Sequence, residues 1–212
     1  MNWFEIKSTA KEKIKGNKWD IWWPMLIIGL ISSLLDTLFV PKVDVQNMQA
    51  AYDQLSSGSS VLGICASIIL SIITAGYIKY ILDFIRTGKF DHTVIVQTIK
   101  DKWLELLIAA ALTTLIIGVG LMFFIIPGII LALAYTFVFY IIVDSDTTGI
   151  DAMKKSREMM KGYKWDFFAF MLSFIGWVIL SIFTLFILWV WLMPYMTVAC
   201  ALYYEKLKEI KA

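Results

Sequence analysis

Three carboxylates are the side chains of this chain best placed, by type and spacing, for acid–base or cation chemistry. Asp20 closes the frame Gly16-Asn17-Lys18-Trp19-Asp20, Asp166 closes Gly162-Tyr163-Lys164-Trp165-Asp166, and Glu105 stands two residues beyond Lys102-Trp103. Each lies at the head of a long apolar run. A catalytic carboxylate needs a convergent base, nucleophile or metal. The sequence offers one histidine, His92, and two cysteines, Cys65 and Cys200, both inside apolar runs. That set supports neither a zinc nor a haem centre, and a structural disulfide is not expected. Asp20, Asp166 and Glu105 therefore read as first-turn residues whose charge complements a helix dipole. No catalytic residue, metal or cofactor is expected, and the chain is not expected to be an enzyme.

Hydroxyls form the second candidate set. Ser71, Thr74, Thr136 and Thr197 lie within apolar runs and could line a cavity for an apolar ligand. The alternative is helix packing, beside small residues such as Gly29, Gly63, Ala66 and Gly76. Mid-run lysine, arginine, histidine and carboxylate are missing; Asp36, toward the outer end of the first run, comes nearest. Ion-coupled carriers and voltage sensors place ionisable groups at such depths, so that class is disfavoured.

The elements that must hold these residues follow from composition. The chain of 212 residues is 59% hydrophobic and 17% charged, with a mean hydropathy of +0.75, which excludes an ordinary soluble domain. A helix needs about 20 apolar residues to cross a bilayer. Six spans are expected, at about 21–40, 61–81, 103–119, 121–143, 167–184 and 187–204, in one integral membrane domain over residues 1–212. The fold class is thus all-α, a polytopic membrane helix bundle. The third and fourth spans, and the fifth and sixth, share one apolar stretch each and must fold as hairpins with almost no loop. Gly118-Val119-Gly120 is the expected first turn and Thr184-Leu185-Phe186 the second. Pro127 and Pro194 follow at similar offsets and are expected to kink the fourth and sixth helices.

Basic residues set the orientation. Lys7, Lys11, Lys13, Lys15 and Lys18 precede the first span, Arg86, Lys89, Lys100 and Lys102 separate the second from the third, and Lys154, Lys155, Arg157, Lys161 and Lys164 separate the fourth from the fifth. Lys206, Lys208 and Lys211 end the chain, Lys79 can snorkel to the same face, and Lys42 alone falls opposite. The positive-inside rule then places both termini in the cytoplasm and the segment from Pro41 to Ser60 outside. The first apolar run reads as a retained helix rather than a cleaved leader.

Amphipathic helices are expected on the cytoplasmic side at 3–18, about 91–102 and about 148–163. In the first, Trp3, Ile6, Ala10 and Ile14 make an apolar face for the membrane, with Lys7, Lys11, Lys15 and Lys18 beside it among anionic headgroups. Ile150, Met153, Met160 and Tyr163 make a similar face in the third. Trp19, Trp103 and Trp165, with Lys161 and Lys164, mark the interface. Glu12 and Lys15 match Glu158 and Lys161 when the two glycine frames are superposed, so the chain reads as repeated units of amphipathic helix plus hairpin.

Several motifs in order carry a family likeness: Ala10 to Asn17, Gly76-Tyr77-Ile78-Lys79-Tyr80, Ile125-Ile126-Pro127-Gly128-Ile129-Ile130, Ser156-Arg157 with Met160-Lys161-Gly162, Leu172-Ser173-Phe174-Ile175-Gly176-Trp177, and Trp191-Leu192-Met193-Pro194-Tyr195. Over nearly its whole length the chain resembles the domain of unknown function 975 family of bacterial multi-pass membrane proteins. Phe186 departs from the glycine that family tends to have after Thr-Leu. The resemblance implies a location in the bacterial cytoplasmic membrane and supplies no catalytic residue. A fainter likeness to the membrane domain attached to some glycerophosphodiester phosphodiesterases points toward lipids or the envelope. The expected function is a non-enzymatic scaffold, regulatory or protective protein of the envelope, with membrane lipids as partners and no nucleic acid. The alternative is a binding or transport protein for a lipid or small apolar molecule, with a cavity beside the proline-bearing fourth and sixth helices.

Overall fold

In a computed structural model, which describes residues 2–39, 59–184 and 187–211, every regular element is an α-helix. Helix α1 (Trp3–Ile14) is capped by Asn2, whose side chain accepts from the Glu5 N–H. It ends at Gly16, whose φ of +102° suits a residue without Cβ. Helix α2 (Lys18–Phe39) starts two residues later. After residues outside the described set come α3 (Ser59–Thr87) and α4 (Thr93–Phe123). The returning arm of the first hairpin is α5 (Ile125–Tyr135) followed by α6 (Val138–Asp144). Helix α7 (Gly149–Met159) is capped by Thr148 and ends near Gly162, at φ +90°. The chain closes with α8 (Lys164–Leu172), α9 (Ile175–Phe183) and α10 (Ile187–Lys211).

Four stretches are long and apolar enough to cross a membrane among the described residues: Gly63–Thr87, Thr93–Phe123, Ile125–Asp144 and Lys164–Ser181. The first and sixth expected spans fall on α2 and α10, which carry side chains outside the described set. The segment 41–58 and the Leu185-Phe186 part of the second expected turn also lie outside it.

The first hairpin turns later than its glycines suggest. Helix α4 runs straight through Gly118-Val119-Gly120, and the reversal comes at Phe124, at φ −157° and ψ 141°. The Phe124 N–H still reaches the Gly120 carbonyl, and the Gly128 N–H the Phe124 carbonyl, so the turn leaves few backbone groups bare. Pro127 consequently occupies the first turn of α5, where an N–H has no intrahelical partner to lose; it opens the helix and does not kink it. Pro194 does lie in a helix interior, as does Pro24. The segment expected as a separate amphipathic helix at 91–102 is fused to α4, with one non-helical residue at the join, Lys102 (φ −120°, ψ 16°).

The core gathers toward the end of the bundle where the basic residues lie. Helix α3 is central, packing on α2, α4, α6 and α10, and buries Tyr77, Tyr80, Ile81, Leu82 and Phe84. Phe137 stacks on Tyr203 and meets Phe167 and Tyr204 edge-on or tilted, with ring centroids 5.3 to 6.1 Å apart. Beside the reversal at Phe124 and at the end of α9 the side chains are bare instead: Met122 is 88% and Phe183 81% exposed, which suits contact with lipid tails.

Candidate functional site

Helix α1 docks on protein. Ile6 and Ala10 are buried, and Trp3 and Ile14 pack on the same core, mainly against α10. The apolar face expected to enter the membrane is thus covered by the bundle. Polar tethers fix it there: Trp3 Nε1 donates to Asp166 Oδ2 (3.3 Å), and the Tyr195 hydroxyl donates to the Lys7 carbonyl (3.3 Å). Helix α7 behaves similarly. Ala152, Met153 and Met160 are buried, Ile150 is not, and the buried Ser156 hydroxyl donates to the Ala134 carbonyl. Gly149 lets α7 approach α4 closely, since a Cβ there would lie 2.7 Å from the Glu105 carbonyl oxygen.

Besides the lysines held in ion pairs, such as Lys79 with Asp83 and Lys206 with Glu5, two sets stand out at this end. Lys7, Lys13, Lys102 and Lys211 each donate to a main-chain carbonyl of another segment: Ser173, Ile85, Ile142 with Ser145, and Lys161. They close helix ends, where cations complement the dipole. Lys7 also lies over the Phe174 ring at 4.4 Å, and burial pulls its ammonium below the usual lysine value. Lys7 and Trp3 are thus each tethered to another segment of the protein while staying partly exposed.

Lys11, Lys15 and Lys18 make no ion pair among the described residues. They line one rim of a groove of about 530 Å³ between α1 and the α9–α10 arm, whose floor is Trp177, Leu188, Trp191, Leu192 and Tyr195. Lys18 Nζ stands 5.0 Å from the centre of the Trp191 ring, a cation–π contact worth about 1 kcal/mol. A second hollow of about 450 Å³ is lined by Lys154, Arg157, Glu158, Lys161 and Lys164. It has charges without the aromatic floor. The floor of the first was not among the expected site residues. Its signal was available: Leu188, Trp191, Leu192 and Tyr195 follow the 3–4 spacing of a single helix face.

Ser71, Thr74, Thr136 and Thr197, the expected cavity residues, line neither of these two hollows. Each hydroxyl donates to the carbonyl four residues back in its own helix, at 2.8 to 3.0 Å. A hydroxyl in an apolar medium takes the nearest acceptor, which is its own helix. Trp19, Trp103 and Trp165 are 75%, 54% and 66% exposed.

The carboxylates do structural work. Asp166 accepts from Trp3 and from the Tyr203 hydroxyl (2.7 Å), joining α1, α8 and α10. The Glu105 carboxylate accepts from the Gly149 N–H, so it caps the start of α7 and not its own helix. At Asp20 it is the main-chain carbonyl that accepts, from Tyr80. A fourth, Asp144, was missed. Its side chain, 3% exposed, pairs with Arg86 (2.6 Å) and Lys208 (2.5 Å) and accepts from the Tyr204 hydroxyl. Arg86 also holds Glu205 at 2.6 Å. His92 stacks on Tyr80 and meets Trp23 edge-on.

Residues 110–211 match the family described as "Protein of unknown function (DUF975)". No curated protein and no solved structure matches.

Proposed function

We propose, from a chain whose residues 110–211 match the domain of unknown function 975 family, that this is a non-enzymatic scaffold, regulatory or protective protein of the bacterial cytoplasmic membrane. In this reading it has six spans, both termini in the cytoplasm, and two copies of an amphipathic-helix-plus-hairpin unit. The copies are supported by local detail. Gly16 and Gly162 both have positive φ, and Trp19–Trp22 and Trp165–Phe168 form matching edge-on ring pairs, at 5.6 and 5.8 Å. The observation that carries the scaffold reading is how the hydroxyls of Ser71, Thr74, Thr136 and Thr197 are spent. They bond to their own backbones, while the basic end is latched by Asp144, Asp166 and the carbonyl-bound lysines. A conduit needs the reverse, polar groups turned toward a path and ends free to move.

Reconstitution in vesicles tests this. The scaffold reading expects lipid scrambling and small-solute efflux no faster than in protein-free vesicles, and a protein-dependent flux would overturn it. Orientation is read by single cysteines in a Cys65→Ser, Cys200→Ser background. Replacements at Asn2 and Ala212 should escape an impermeant maleimide in intact cells, and one in the 41–58 segment should react. The second reading, binding of a lipid or small apolar molecule, is favoured by the groove beside the Pro194-bearing helix.

A further inference from the structure

When Gly16 is laid on Gly162, Lys11, Lys15 and Lys18 fall opposite Arg157, Lys161 and Lys164. These two triads line the two basic hollows. The correspondence is selective. Lys7 and Lys13, which bind carbonyls, fall opposite Met153 and Met159, so every cation that recurs lines a hollow, while Lys154, which lines the second beside Glu158, falls opposite Ser8. The left-handed glycine is what makes each triad converge. It reverses the chain between the third turn of the amphipathic helix and the start of the next helix, bringing the cations before and after it to one concavity.

Three side-chain cations facing one hollow, with no ion pair among the described residues, call for an anion, and Trp177, Leu188, Trp191 and Leu192 call for hydrocarbon beside it. An amphiphile with an anionic head satisfies both. A soluble phosphate would leave the aromatic floor bare, and an uncharged lipid would leave the cations unanswered. We propose that both hollows are headgroup sites for anionic phospholipid, the first completed by an acyl-chain slot along α9 and α10, the second holding the headgroup alone. The proposal rests on the reading that this end of the bundle lies at the cytoplasmic leaflet. The first site should be tighter, since it binds both parts of the lipid.

The test is native mass spectrometry of the full chain in detergent, titrated with phosphatidylglycerol, with phosphatidylcholine of the same chains, and with glycerol 3-phosphate. The wild type should retain two phosphatidylglycerol molecules in preference to phosphatidylcholine, with glycerol 3-phosphate displacing neither. Lys11→Gln, Lys15→Gln and Lys18→Gln together should weaken the tighter site about a hundredfold. The corresponding arginine triple should restore it. Arg157→Gln, Lys161→Gln and Lys164→Gln should abolish the weaker site alone, and Trp191→Ala should weaken the first site without touching the second. Equal retention of the two lipids, displacement by glycerol 3-phosphate, or unchanged retention in both glutamine triples would overturn the proposal. Unfolding temperature checks that each variant is folded. Retention in detergent is independent of flux and topology, so failure here leaves the scaffold reading standing, and flux from vesicles would remove that reading without altering retention.

Discussion

Asp144 and Thr113 show how differently two buried polar groups can be treated in one bundle. Asp144 is answered by two cations and a tyrosine hydroxyl, drawn from α3 and α10. Removing the charge from a buried pair costs about 3 to 5 kcal/mol. Here Arg86 and Lys208 are 33% and 47% exposed and recover hydration, so Asp144→Asn is expected to cost about 2 kcal/mol. Asp151→Asn, at an exposed pair with Lys154, should cost less than about 1 kcal/mol. Equal losses in denaturant titrations of the two variants would deny Asp144 its role as a latch. Thr113 is the opposite case: its hydroxyl is buried without a hydrogen-bond partner among the described residues. Valine has the same shape, and Thr113→Val should stabilise the fold by about 1 kcal/mol. A loss of stability would mean the hydroxyl is answered in the membrane.

Among elements, the helices with strong local signals were legible and the breaks between them were not. The glycine frames placed the starts of α2 and α8 because a left-handed corner, a lysine and an interfacial tryptophan coincide there. Nothing comparable marks Thr136-Phe137 or Ser173-Phe174, where the returning and final arms break, since neither site carries proline or a glycine at the break. The apolar face of α1 was legible as a face. Its destination was not, because Ile6 and Ala10 would serve lipid or protein equally, and what decides is a long-range acceptor, Asp166, for the Trp3 indole. Asp144 and Arg86 were hidden for the same reason: each looks like an ordinary charge at a helix end until the fold joins them. The corner itself can be tested. Alanine at Gly16 or Gly162 must hold φ near +100°, at about 1 kcal/mol each, and Gly16→Ala should also lower phospholipid retention at the first site. The α4–α5 tip carries a separate expectation. From Leu115 to Ala134 there is no charged, amide or hydroxyl side chain, so the reversal at Phe124 suits hydrocarbon. Phe124→Cys in the cysteine-free background should resist an impermeant maleimide in intact cells, and ready labelling would place the tip in water.

Across the whole molecule, the beginning of the chain is held by its end. Helix α1 packs on α10, Trp3 shares Asp166 with Tyr203, and Arg86 at the end of α3 bridges Asp144 and Glu205. The connection from Thr87 to Thr93 therefore runs between two parts that already grip one another, and continuity there should matter little once the spans are inserted. Membrane helices inserted separately can associate through packing and interhelical bonds. Co-expressed fragments 1–88 and 89–212 are accordingly expected to copurify from detergent through a tag on either one, and to do so less well when Arg86→Ala removes both bridges. Deleting residues 2–14 from the first fragment should weaken the pairing further, since it removes the buried Ile6 and Ala10 contacts and a donor to Asp166. If the fragments part in mild detergent, the grip between the two ends is weaker than the packing of each with its sequence neighbours. The residues 110–211 that match the family would then stand as a unit without α1.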